Sequence, residues 1–71
     1  MTEKEFKNLK EGDKVKTNQL VCYALDPNLY IPIATKGKVV KTLPKKSMIY
    51  CNFGEKYDQN IPIIAFEVDL A

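Results

Sequence analysis

The alternation of hydrophobic and polar positions changes character once along the chain, at Gly12. Before it, residues 2–10 predict a short helical turn. Thr2 stands where an N-cap belongs, and Glu5 holds the reciprocal position of a capping box. Phe6 and Leu9, three apart, share one face of that turn, and Gly12 is the expected stop. A turn this short persists only by docking on a core.

After Gly12 nearly every segment reads as strand. The run 13–25, DKVKTNQLVCYAL, opens with Val15 and Thr17 alternating against Lys14 and Lys16, then becomes apolar on both faces. Asp26-Pro27-Asn28 is a turn, because Pro fixes φ and Asp and Asn bond their own backbone. In 29–35, LYIPIAT, Pro32 removes a ladder donor, which limits the stretch to an edge strand or a long loop. KVVKTL, 38–43, sets Val39 and Leu43 inward, and Pro44-Lys45-Lys46 turns the chain. SMIYCNF, 47–53, alternates most clearly, with Ile49, Cys51 and Phe53 on one face and Met48, Tyr50 and Asn52 on the other. IPIIAFEV, 61–68, reads as the last long strand.

A chain of 71 residues carries one core. Four or five short strands with one helical turn cannot build a two-layer sandwich in that length. The expected fold is therefore mainly β: a small five-stranded antiparallel barrel, residues 1–71 forming a single domain, with closure removing the sheet edges. LKEGDKV at 9–15, KGKVVK at 36–41, IYCNFG at 49–54 and FEVDL at 66–70 together resemble small SH3-like barrels. In that class a GD-x-V opens the first strand and a G-x-V a second, and the chain closes on a short strand ending in an acidic-Leu pair. The resemblance implies an SH3-like barrel in which residues 18–35 form the long first loop. The class includes translation and transcription factors, RNA binders, peptide binders and phage proteins, so it implies binding without naming the ligand. The chain lacks Trp and so departs from the aromatic cluster of peptide-binding SH3 domains.

Composition narrows the chemistry. His, Arg and Trp are absent and Ser47 is the lone serine. Cys22 or Cys51 would have no imidazole to activate it as a nucleophile, and the three scattered glycines form no phosphate-binding loop. A non-enzyme without cofactor or metal is expected. Both thiols lie in apolar runs and read as small core residues, free in a reducing cytoplasm. No apolar run approaches the length of a membrane span, and MTEKEFKNLK lacks the core of a secretory signal, so no membrane role is expected. All eleven basic residues are Lys, and Asn and Ile are common, a bias that fits a low-GC bacterium, its phages or its plasmids.

Two binding surfaces remain. Between Thr17 and Thr35 the sequence carries a single charge, Asp26. Tyr23, Leu29, Tyr30, Ile31 and Ile33 in that stretch are the candidate protein-binding residues, since interface centres are rich in Tyr and apolar groups and poor in charge; the alternative is that they fold back over the open end of the barrel and complete its core. The expected function is a non-catalytic module docking on another protein or on its own copy, with a phage or mobile-element regulator or inhibitor as the suggested setting. The alternative is weak, sequence-independent nucleic-acid binding. Residues 36–46 hold Lys36, Lys38, Lys41, Lys45 and Lys46 with no acid, while residues 47–71 are net −3 and the whole chain +2. No small-molecule substrate is expected.

Overall fold

The computed structural model describes residues 1–22, 28–57 and 60–71. Helix α1 (Glu3–Lys7) forms where the capping box predicts it. The Glu5 N–H donates to the Thr2 hydroxyl at 3.2 Å, and the Thr2 N–H donates to Glu5 Oε1 at 2.9 Å. Leu9 is buried and Phe6 packs against the core, which supplies the docking so short a helix needs. The helix ends at Asn8, not Gly12. Gly12, at φ +88°, instead turns the chain into the first strand, within a turn closed by Asp13. The Asp13 carboxylate accepts the Lys10 N–H at 2.8 Å, and the Asp13 N–H donates to the Lys10 carbonyl at 3.1 Å. The Gly-Asp pair therefore earns its place locally: one residue supplies the positive φ and the other satisfies the turn's free amide.

Among the described residues seven strands follow: β1 (Lys14–Thr17), β2 (Val21–Cys22), β3 (Tyr30–Ile31), β4 (Lys36–Leu43), β5 (Met48–Asn52), β6 (Ile61–Ile64) and β7 (Val68–Leu70). Five form an antiparallel sheet in the order β6-β5-β4-β1-β7, and β2 pairs with β3 in a separate two-stranded hairpin. The sequence runs 13–25 and 61–68 are thus each broken. The second breaks at a 3₁₀ turn, Ala65–Glu67, whose Glu67 carboxylate accepts the Ile64 N–H at 3.1 Å.

The sheet does not close into a barrel, which corrects that expectation. The 3₁₀ turn sends β7 across to β1 while β6 stays on β5, and no ladder joins β6 to β7 among the described residues. Among those residues, no helix is long and apolar enough to cross a membrane.

Register decides the core. Ile49 stands opposite Ile63 and Cys51 opposite Ile61, all four fully or nearly fully buried, with Val15, Val39 and Val68 beside them. The β4–β5 ladder slips between Val39 and Lys41, leaving Val40 as the bulged residue. The slip reverses the inward parity of β4 beyond it. Thr42 comes opposite the buried Ile49, while Leu43 pairs with Met48 on the other face, which corrects the inward placement of Leu43.

Gly37 pairs with Val15, and a Cβ there would meet Phe53 Cδ1 at 2.6 Å. The Phe53 ring occupies the space a side chain would need. The ring also meets Tyr57 edge-on, centroids 6.5 Å apart.

Candidate functional site

The hairpin β2–β3 divides the charge-poor segment into an inner and an outer row. Val21 pairs with Ile31, and both are buried in the common core; Cys22 pairs with Tyr30, and both are exposed. Two expectations are corrected by this register. Ile31 is a core residue, not a surface one, and Cys22 is a surface residue, not a core one. Leu29 is half-buried and packs against the core. Tyr30 and Ile33 remain on the surface, Ile33 at 64% exposure. Tyr23 lies outside the described residues.

The surface residues gain neighbours that the sequence did not suggest. Thr17, at the end of β1, holds the turn that bears Ile33: its carbonyl accepts the Ala34 N–H at 2.8 Å and its hydroxyl donates to the Pro32 carbonyl at 2.7 Å. Asn18, the next residue, holds the 3₁₀ turn that bears Phe66. Its N–H donates to the Glu67 carbonyl at 2.9 Å and its Nδ2 to the Phe66 carbonyl at 2.8 Å. Two consecutive residues thereby bring Ile33 and Phe66 to the same end of the sheet, with Leu20 close by in sequence. Phe66 is 65% exposed and Leu20 58%. Exposed ring and aliphatic side chains on hydrogen-bonded turns are the kind of group a docking surface offers.

The five lysines of 36–46 do not form one surface. Lys36 and Lys38 lie at the start of β4, and Lys45 and Lys46 lie in the 3₁₀ turn beyond its far end, Pro44–Lys46. At about 3.3 Å per residue the part of β4 between Lys38 and Leu43 alone separates these groups by roughly 17 Å. Lys41 stands between, opposite Tyr50. Lys36 and Lys38 instead face two lysines of β1: Lys16 stands opposite Lys36, and Lys14 opposite Lys38. These four line a cleft of about 660 Å³ with Gly37, Phe53, Asn52, Gly54 and Ala71.

Other reactive groups are accounted for structurally. Burial pushes the Cys51 thiol up to about 12, which keeps it protonated and inert. Asp69 is held below the usual carboxylate range by the N-terminal ammonium, 3.0 Å away, and next by Asn18. Lys16, its partner across the β1–β7 ladder, adds a smaller effect. Among the described residues no three His, Cys, Asp or Glu side chains converge as a metal site requires.

Sequence reasoning missed Leu20, Phe66, Lys14 and Lys16 as surface partners. The alternation of β1 already turned Lys14 and Lys16 outward. Which strand they meet depends on register, which a single strand does not encode. Comparison with protein-family models, with curated proteins and with solved structures finds no match to this chain.

Proposed function

We propose that this protein is a non-catalytic binding module of SH3-like architecture that docks on another protein through the apolar end formed by Leu20, Tyr30, Ile33 and Phe66. The architectural part is supported by where the resembling segments fall. LKEGDKV leads into β1, KGKVVK lies in β4, IYCNFG spans β5 and its exit, and FEVDL ends in β7. The hairpin β2–β3 falls between β1 and β4, where the resemblance sets the long first loop, and the last strand pairs with the first. The non-catalytic part is supported by the absence of His from the chain and by the protonated, buried Cys51.

The observation that carries the docking reading is that the adjacent residues Thr17 and Asn18 hold the backbone of the two turns that bear the exposed Ile33 and Phe66. With the backbone beneath them already fixed, binding has only side-chain rotamers left to order, so burial of these groups converts efficiently into affinity. A photo-crosslinking side chain placed in turn at positions 33, 66 and 55 in cells of the source organism tests it. Positions 33 and 66 are expected to give the same discrete protein adduct, insensitive to nuclease, and position 55 none. Absence of an adduct at 33 and 66, or identical adducts at all three, would overturn the reading. An adduct of twice the chain's own mass would identify the partner as a second copy.

A further inference from the structure

We propose that Lys14, Lys16, Lys36 and Lys38 form a phosphodiester-binding site, through which the protein holds a nucleic-acid backbone without reading its sequence. Two directly opposed Lys–Lys pairs stand on either side of the Val15–Gly37 pair in one ladder, Lys14 against Lys38 and Lys16 against Lys36. Like charges directly opposite across a sheet repel, and a sheet edge can be kept soluble without setting them in register. The arrangement is relieved when an anion lies between the ammonium groups.

The four charges are largely free to serve one. Among the described residues the ion pairs are those of the N-terminal ammonium with Asp69 and of Lys7 with Glu3, and neither involves these lysines. Strand β4 contains no acid. Asp69 stands across the ladder from Lys16, and it already accepts the N-terminal ammonium and Asn18. Gly37 and Phe53 also line the cleft, and the Phe53 ring fills the place of the side chain that Gly37 lacks.

The chemistry of the four groups selects the ligand. Lys is a compact point charge that suits phosphate oxygens without fixing their orientation. The absence of Arg leaves no guanidinium for bidentate contact with guanine, so base readout is not built into the face. Along each strand the paired lysines are about 6.7 Å apart, and across the ladder about 5 Å, so the site spans more than one phosphate and favours a repeating polyanion.

Binding is measured by fluorescence anisotropy with a labelled oligothymidine and a labelled duplex of equal length, at low and raised salt. The quadruple variant Lys14→Gln/Lys16→Gln/Lys36→Gln/Lys38→Gln is compared with a control of equal charge change, Lys41→Gln/Lys45→Gln/Lys46→Gln/Lys56→Gln. Both are first shown to melt cooperatively. If the quadruple variant does not, the pairs Lys14→Gln/Lys38→Gln and Lys16→Gln/Lys36→Gln are used in its place.

The unmodified protein is expected to bind with a log–log salt slope of about −2.8 to −3.6, as four neutralised phosphates give on single strand or duplex. The quadruple variant should lose more than about tenfold in affinity at about 50 mM salt and most of the slope, while the control loses less than about threefold. The tighter of the two oligonucleotides identifies the strand state. No binding at low salt, or equal losses in variant and control, would overturn the proposal. Equally tight binding of heparin, sensitive to the same four residues, would replace nucleic acid by polyanions in general.

Discussion

Thr17 and Thr35 are joined twice: the Thr17 N–H donates to the Thr35 carbonyl at 3.0 Å, and the Thr35 N–H donates to the Thr17 hydroxyl at 2.8 Å. The same buried hydroxyl donates to the Pro32 carbonyl. Thr17→Val keeps the shape and removes the hydroxyl. The Pro32 carbonyl retains the Thr35 hydroxyl as a donor, but the Thr35 N–H loses its side-chain partner. The expected loss is about 1–3 kcal/mol in denaturant unfolding, with Thr17→Ser retaining the hydrogen bonds and losing only the methyl contact. A Thr17→Val protein as stable as the original would show that the hydroxyl does not hold the turn.

Gly37 and Phe53 are expected to be energetically coupled. Gly37→Ala drives a Cβ into the Phe53 ring and toward the Asn52 carbonyl, 3.0 Å away, and should cost about 1–3 kcal/mol through displaced packing. Phe53→Leu also destabilises, but the double variant should fall short of the sum by at least about 0.5 kcal/mol. Strict additivity in a double-mutant cycle would contradict the contact.

The two thiols should separate in labelling. Cys22 is exposed and should react with a maleimide in the native state, while Cys51 should react only after unfolding. The buried thiol also shapes stability at alkaline pH. Its folded value, about 12, lies above its ordinary value of 9.0, so the unfolded chain releases this proton first. The contribution is complete below pH 9 and declines by about 1.4 kcal/mol per pH unit between these two values. Cys51→Ala should flatten the alkaline decline relative to the unmodified protein, and an unchanged slope would count against the assigned burial.

Asp69 acts at the other end of the scale. Its carboxyl is depressed by the N-terminal ammonium first and by Asn18 next. Its stabilising effect is present above the ordinary carboxylate value and is lost as pH falls through the depressed one. Asp69→Asn should therefore be less stable than the unmodified protein at neutral pH and converge with it in acid. Acid melts of the two proteins that stay parallel would contradict the pairing.

Signals in the sequence match the structure where the physics is local. Thr2 and Glu5 announced the capping box, and the alternation of Ile49, Cys51 and Phe53 gave both faces of β5. What escaped depends on partners distant in sequence. The bulge at Val40 is invisible in KGKVVK because either valine satisfies an inward position, and only the ladder with β5 shows which does. The break within 61–68 is set by the Glu67 carboxylate turning back on Ile64, against a strongly β-forming run. For the site, the charge-poor segment 18–35 was visible but not its division into a buried Ile31 and an exposed Ile33, which follows from hairpin register and Pro32. Phe66 was hidden because it sits in what reads as a strand.

The most direct test of the docking account is partner retention by the Ile33→Asp/Phe66→Asp protein, measured as the affinity of the crosslinked partner for each form after the melting temperatures have been compared. Both side chains are on the surface, so the substitutions should change stability by no more than about 0.5 kcal/mol each, whereas Ile31→Asp, in the core, should unfold the protein. The account predicts a folded double variant that has lost partner binding by at least about a hundredfold, as two central interface residues would give. A folded double variant that binds its partner as tightly as the unmodified protein would contradict it.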